Sequence, residues 1–175
     1  MIRKIILPTD GSEHAAKAID LAAGLAEKYQ AEIVVLHVLL HHQSAFDLLA
    51  LAKSLDPDDS VIGKLEDLEK ASVEASASAY EGVISLPVPD EVVEAIGDLI
   101  CENAKTRIAS RGDIAVRAYA VSGTPADRIL MAEKHEDADM IIMGSRGLSR
   151  LADMFMGSVS HKVSHLSECT CVTVK

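Results

Sequence analysis

Short, β-branched apolar runs alternate with amphipathic stretches along most of this chain, and no other feature constrains its fold as much. An apolar run over residues 2–7 ends at Pro8, a helical pattern follows from Ala15 to Tyr29, and a second apolar run covers residues 33–40. The connections between these stretches are short. A strand, a helix and a strand joined in this way predict a β-α-β unit with parallel strands and a right-handed crossover.

The same rhythm returns in the second half of the chain. The patterns predict helices over residues 91–110, 125–135 and 158–166, and strands over residues 114–121, 138–143 and 169–174. Five strands alternating with helices predict an α/β fold with a single open five-stranded parallel sheet. Such sheets bind ligands outside the carboxyl ends of their strands.

Two local patterns sharpen this prediction. The strand over 114–121 alternates in polarity, so we expect it at an edge of the sheet. Thr124 is expected to cap the following helix, with Pro125 at its first position. The helix at 15–29 has Ser12 as its expected N-cap.

Residues 41–90 interrupt the rhythm with two further helical patterns. The segment from Asp47 to Asp90 contains ten acidic and three basic residues. Its net charge is −7, in a chain whose net charge is −10. A connection of about fifty residues is unusual for this kind of unit. Two interpretations stay open, a solvated helical excursion and a lid or partner-binding surface. We therefore expect one domain over residues 1–175 that carries an acidic helical insertion at about 41–90.

Composition excludes several classes of function. The negative charge argues against nucleic acid as a partner, because phosphate backbones are bound by basic surfaces. No apolar run approaches the ~20 residues of a membrane helix, and the N-terminus lacks a signal-peptide pattern. These features predict a cytoplasmic protein that contacts no membrane.

The cysteines and histidines give no strong metal signature. Cys101, Cys169 and Cys171 are odd in number and lack a metal-binding spacing, so we expect reduced structural thiols. We also expect the thiols of Cys169 and Cys171 to point apart. The histidine groups at 37–42 and 161–165 lack a complete ligand set, and we predict no metal site in the protein.

A glycine-rich stretch joins the strand ending at Met143 to the helix starting at Ser158. Its spacing is Gly144-x2-Gly147-x9-Gly157-Ser158, which is neither a P-loop nor the dinucleotide fingerprint. The first two glycines would let the backbone approach a ribose or phosphate. The last would open a helix whose N–H groups can bind an anion. The alternative is that these glycines only turn the chain and cap helices.

On these motifs the chain resembles the universal stress protein family. The residues that carry the resemblance are Ile5–Ser12, His37–Val38, Gly123–Pro125, Asp139–Gly147 and Gly157–Val159. The ATP-binding subgroup of that family carries Gly-x2-Gly-x9-Gly-Ser/Thr, and this chain matches each fixed position. The resemblance implies a flavodoxin-like sheet, similar to that of adenine-nucleotide α-hydrolases, with strand order 3-2-1-4-5. It also implies homodimers paired through the last strand, Thr170 to Val174.

The resemblance further implies ATP bound across the ends of the first and fourth strands, with Mg²⁺ or Mn²⁺ held mainly by the phosphates. Asp10 resembles the family's acidic residue at the nucleoside, and Val38 the residue whose backbone meets the adenine edge. The residues expected at the nucleotide are Pro8, Thr9, Asp10, Val38, Gly123, Met143, Gly144, Arg146, Gly147, Gly157, Ser158, Val159 and Ser160.

No catalytic residue is proposed, because ATP hydrolysis needs a positioned water and charge stabilisation, and no catalytic base stands out. The expected function is a nucleotide-dependent regulatory or protective module with at most slow ATP hydrolysis. In it, ATP would order the arm over 148–156 and the acidic segment. Two alternatives are a nucleotide-free scaffold that uses the acidic insertion, and an adenosine-nucleotide enzyme of the same fold. The signatures His-x-Gly-His and Ser-Gly-Gly-x-Asp-Ser of such enzymes are missing.

Overall fold

The computed structural model describes residues 1–41, 43–55, 59–78, 86–148 and 156–175. The strands are β1 (Lys4–Pro8), β2 (Glu32–Val38), β3 (Val116–Val121), β4 (Met140–Gly144) and β5 (Thr170–Val174). The helices are α1 (Glu13–Tyr29), α2 (Ala45–Ser54), α3 (Asp59–Ser78), α4 (Asp90–Ala109), α5 (Pro125–Glu136) and α6 (Ser158–Leu166).

All five strands pair in parallel, in the order β3-β2-β1-β4-β5. This confirms the predicted order and the predicted position of β3 at an edge. Strands β2 and β3 follow β1 on one side, and the chain then crosses to place β4 and β5 on the other side of β1. The point where the order reverses lies between β1 and β4, where Ile6 stands opposite Ile141. Open sheets of this kind bind ligands at that switch point.

Two apolar layers cover the two faces of the sheet. One face carries Ile5, Leu7, Ile33 and Val35 against α1 and the end of α4; the other carries Ile6, Val34 and Leu36 against α5 and α6. Successive strand residues point to opposite faces, so a strand that is buried on both sides has a continuous apolar run. The helix layer on the first face includes five buried residues of α1, namely Ala18, Ile19, Ala22, Ala23 and Ala26.

The chain packs as two compact units. The first contains Met1–Val38 and Ile100–Lys175, and so includes the whole sheet. The second, Leu39–Leu99, contains α2, α3 and the first half of α4. In this unit Lys53 pairs with Glu66 at 3.0 Å and Lys64 with Glu91 at 2.8 Å. The single-domain boundary stays a prediction. Within the described ranges, no helix is both long and apolar enough to span a membrane.

Helices α1 and α5 begin at the predicted N-cap residues. Ser12 caps α1, since its Oγ accepts a hydrogen bond from the Ala15 N–H at 3.2 Å. Pro125 is the first residue of α5, as predicted. Thr124 is the N-cap of α5, as predicted, with extended backbone, but its side chain makes no cap hydrogen bond.

The expected orientation of the two C-terminal thiols is wrong. Cys169 and Cys171 both pack against the apolar cluster beneath α5 and α6, because residues two apart on a strand share a face. Neither cysteine forms a disulfide bond. Burial raises the pKa of each, and with the neighbouring Glu133 carboxylate it raises the pKa of Cys169 to about 12. Glu133 also fixes the start of β5, where its Oε1 accepts hydrogen bonds from the N–H groups of Glu168 and Cys169 at 2.7 Å.

These shifts predict that the folded protein resists thiol modification. The thiolate is the reactive species, so at pH 8 we expect Ellman's reagent to react at least about tenfold more slowly with folded than with urea-unfolded protein. A Cys101→Ser variant restricts the signal to Cys169 and Cys171. Fast labelling of that folded variant would contradict the assigned environment of the pair.

A charge network ties the amino ends of the strands together. Glu136, the last residue of α5, accepts hydrogen bonds from Arg117 on β3 and from Lys4 on β1, the latter at 3.2 Å. Arg117 also donates to Glu32 on β2 at 2.7 Å. The Glu136 side chain is 7% exposed, and the Arg117 guanidinium is the main reason why its pKa falls to about 2.

We predict that Glu136→Gln lowers the free energy of unfolding by about 1–3 kcal/mol at pH 7, because it removes a charge-assisted network. The folded pKa lies below the unfolded one. The contribution is therefore complete above about pH 4.5 and is lost as the pH falls towards 2. Urea unfolding should show a smaller difference between the two proteins at pH 3 than at pH 7. Glu168→Gln is the matched control, since Glu168 pairs with Lys134 at an exposed position and should contribute little. An equal loss in the control would contradict the prediction.

Candidate functional site

The loop after β1 is held by its own side chains. The Asp10 Oδ1 accepts a hydrogen bond from the Ser12 N–H at 3.0 Å, a turn that Asp residues favour. Gly11 has φ 80°, in the left-handed region that glycine adopts without strain. The Thr9 N–H donates to the Leu36 carbonyl of β2 at 2.9 Å. The loop therefore leaves the sheet in a fixed direction.

Asp10 also reaches across the switch point to the glycine motif. Its Oδ2 accepts a hydrogen bond from the Leu148 N–H at 3.0 Å. A Cβ added at Gly147 would collide with this carboxylate. The structure thus brings two predicted site residues, Asp10 and Gly147, into direct contact, although they are far apart in sequence. It also gives Gly147 a steric reason to be glycine.

Gly144 is glycine for a different local reason. A Cβ at this position would lie 3.0 Å from the backbone N of Ala15 and 3.0 Å from the carbonyl carbon of His14. Both atoms belong to the first turn of α1. The missing side chain therefore lets the N-terminus of α1 approach the carboxyl end of β4. The sequence predicted a glycine for close approach of a ligand, and the structure shows a close approach of a helix.

Ser145 joins the end of β4 to α6 and to β5. Its carbonyl accepts hydrogen bonds from the Gly157 N–H at 2.8 Å and from the Ser160 Oγ at 2.7 Å, while its own N–H donates to the Val174 carbonyl at 2.7 Å. Ser160 is buried and its hydroxyl serves this internal contact. Its predicted role at the phosphates stays a prediction. The Ser145 Oγ is buried and has no hydrogen-bond partner among the described residues.

The N-terminus of α6 lies beside this junction. Gly157 is its N-cap, with extended backbone and no side-chain cap hydrogen bond, and Ser158 is exposed. Uncapped N–H groups and the helix dipole favour an anion at such an end. The arm over 148–156 lies mostly outside the described residues.

His37 lies at the same edge of the sheet, although the sequence pointed to it only within the His37–Val38 motif and the histidine group at 37–42. It is 1% exposed, and its Nδ1 lies 2.9 Å from the Thr9 carbonyl. A carbonyl oxygen only accepts hydrogen bonds, so Nδ1 carries the proton in this contact. Nε2 is buried and has no partner among the described residues. Burial lowers the pKa of His37, which keeps the imidazole neutral at pH 7. Its position beside Val38 was the available sequence signal.

Other predicted residues lie at the same edge without joining this set of contacts. Gly123 follows β3 with φ 139° and lies under the Arg128 side chain, which donates to the Ser122 carbonyl at 2.7 Å. Met143 is buried in the layer beneath α5 and α6. Arg146 is half-buried and makes no hydrogen bond or ion pair with another described residue.

Pro8 and Val38 complete the predicted set as the last residues of β1 and β2. Val159 is half-buried in the first turn of α6. In the part of the chain that the structure covers, no three His, Cys, Asp or Glu side chains come together as a metal site.

The packing of Gly144 gives a stability prediction with a matched control. Gly144→Ala should lower the free energy of unfolding by about 1–3 kcal/mol, because the new methyl group meets the backbone of α1. Gly24→Ala, in the exposed part of α1 with nothing within 4 Å of the added Cβ, should raise it by about 0.5–1 kcal/mol. Thermal unfolding of the two variants measures both signs. A stabilising Gly144→Ala would show that α1 does not approach β4 in this way.

Comparison with known proteins identifies the family. The model of the universal stress protein family matches residues 1–175. The universal stress protein YxiE of Bacillus subtilis is 34% identical over 180 residues, with 100% of both chains covered. The chain therefore belongs to the universal stress protein family.

Solved structures of this family share the fold. A universal stress protein from Archaeoglobus fulgidus in complex with dAMP has a TM-score of 0.60 at 15% identity, covering 100% of this chain and 98% of its own. A family protein from Arabidopsis thaliana with AMP bound has a TM-score of 0.60 at 17% identity, covering 99% and 91%. The likeness at these identities is one of fold, and both neighbours hold an adenine nucleotide.

Proposed function

We propose that this protein binds ATP across the carboxyl ends of β1 and β4 and acts as a nucleotide-dependent regulatory or protective module in the stress response of the cytoplasm. One observation carries the proposal. The two halves of the Gly-x2-Gly-x9-Gly-Ser motif meet at the switch point, Gly147 against Asp10 and Gly157 against Ser145. That is the place where a doubly wound sheet binds its ligand.

The chemistry of the two halves fits the two parts of a nucleotide. The N-terminus of α6 offers uncapped N–H groups and the hydroxyl of Ser158 to phosphates. By resemblance to the family, Asp10 would contact the ribose and the backbone of Val38 would contact the base. The missing side chain at Gly147 leaves the room in which the Asp10 carboxylate lies.

The residues present favour binding over turnover. Both oxygens of Asp10 already accept backbone hydrogen bonds, and His37 is buried with Nδ1 committed to Thr9. Neither stands as a free general base for water. Mg²⁺ or Mn²⁺ would be held mainly by the phosphates. We therefore propose at most slow hydrolysis of ATP.

Edge strand β5 is the proposed dimer surface. It pairs with β4 on one side only, and residues Thr170–Val174 would pair with the same strand of a second copy. Threonine at 170 and 173 suits a strand, although it makes this surface less apolar than a run of valines and leucines. The described part of residues 41–90 is the proposed surface for a protein partner.

The phosphate half of the site is tested by Gly157→Val. The Cβ alone would lie 3.3 Å from the Ser145 carbonyl, and the rest of the side chain would crowd the first N–H groups of α6. We expect ATP affinity to fall by at least about tenfold, equivalent to about 1.4 kcal/mol, with circular dichroism unchanged. Titration calorimetry makes the measurement. Gly24→Val, on the exposed part of α1, is the control and should bind ATP normally. Wild-type affinity in Gly157→Val would refute the phosphate assignment.

Mass spectrometry of gently purified protein separates the alternatives. Bound ATP supports the proposal, and bound AMP or dAMP would retain the site but change the nucleotide. Protein that carries no nucleotide and shows no thermal shift with ATP would favour the scaffold. Rapid turnover of ATP would favour an enzyme of the same fold.

A further inference from the structure

We propose that His37 is a positioning residue for the nucleotide site: it holds the Thr9 carbonyl and thereby sets the place of the Asp10 carboxylate. This inference rests on the proposed function, which did not assign His37 a role. It begins from an anomaly in the core. His37 is 1% exposed and one of its ring nitrogens has no partner among the described residues.

An apolar side chain would suit this place in the sheet better on packing grounds alone. His37 shares a face of β2 with Ile33 and Val35, which are fully buried in the layer beneath α1. Burying an imidazole with one nitrogen unpaired carries a free-energy cost that a leucine would not. Residues that break a local packing rule tend to do so for function. The useful contact here is the one that His37 does make.

Thr9 is the first residue of the loop after β1, and both of its backbone groups are hydrogen-bonded to β2. The Thr9 N–H donates to the carbonyl of Leu36, and the Thr9 carbonyl accepts from Nδ1 of His37 at 2.9 Å. Both backbone groups of Thr9 are thus held by consecutive residues of β2. The next residue along the chain is Asp10, so its Cα has little freedom to move.

Asp10 passes this constraint on to the glycine motif. Its Oδ2 accepts from the Leu148 N–H at 3.0 Å, and the same carboxylate lies where a Cβ of Gly147 would be. A continuous series of contacts therefore runs from β2 through the end of β1 to the turn after β4. Loss of the hydrogen bond between His37 and Thr9 should therefore weaken the hydrogen bond between Asp10 and Leu148. His37 itself does not contact the nucleotide.

Three substitutions separate positioning from simple packing. In His37→Asn the side-chain amide nitrogen takes roughly the place of Nδ1 and can donate to Thr9. In His37→Gln the amide lies further out, and His37→Leu has no donor. We expect His37→Leu and His37→Gln to weaken ATP binding by about tenfold, or about 1.4 kcal/mol, and His37→Asn to stay within about threefold of wild type. In His37→Leu the unpaired Nε2 is removed but the buried Thr9 carbonyl loses its donor, so we expect an unfolding temperature close to wild type together with the loss of affinity.

A second readout needs no nucleotide. Hydrogen exchange followed by NMR reports on the Leu148 N–H, which Asp10 protects. We expect faster exchange at Leu148 in His37→Leu and near wild-type exchange in His37→Asn, with β4 unchanged in both. If wild-type protein fails to bind ATP, the proposed function is wrong, while the exchange measurement still decides the role of His37. Wild-type affinity and wild-type Leu148 protection in His37→Leu would overturn the inference. The inference would also be overturned if all three variants lost the same ATP affinity and if that loss followed their loss of stability.

Discussion

The carboxylate of Asp10 spans the switch point of the sheet, and the candidate site depends on that one group. One oxygen closes the turn at Ser12 and sets the start of α1; the other holds the turn at Leu148. Hydrogen bonds to a carboxylate are stronger than those to a neutral acceptor. Because β1 and β4 are neighbours, a short side chain can connect their ends. In the β3-β2-β1-β4-β5 order, no other pair of adjacent strands marks the reversal.

The glycines of the motif have packing reasons that differ from one another. Gly144 admits the first turn of α1, Gly147 admits Asp10, and Gly157 lies close to the Ser145 carbonyl. The glycines of such a motif are therefore needed for the packing of the loops as well as for the space that a ligand occupies. The two readings are compatible, since a nucleotide can only be bound where these backbone segments already converge. Substitutions at 144 and 157 separate them, one through stability and the other through affinity.

Much of the fold follows from the sequence because strands and helices leave strong periodic signals. The alternating polarity of β3 marked an edge, and the Ser12 turn marked the start of α1. Contacts between distant segments leave no such signal. The Asp10–Leu148 hydrogen bond, the tautomer of His37 and the approach of α1 to Gly144 all depend on tertiary placement. The thiols of Cys169 and Cys171 could have been placed on one face, since a strand repeats every two residues.

The two ends of the sheet differ in how their buried polar groups are paired. At the amino ends, Glu136 is surrounded by the charges of Lys4 and Arg117, and these groups satisfy one another. At the carboxyl ends, two buried polar atoms, the Nε2 of His37 and the Oγ of Ser145, have no partner within the described chain. Glu133, at the amino end of β5, also keeps one buried oxygen, Oε2, without a partner among the described residues. Buried polar groups without partners cost free energy. His37 and Ser145 hold the Asp10 loop and the glycine motif in place, so part of this cost falls on the segments that form the candidate site.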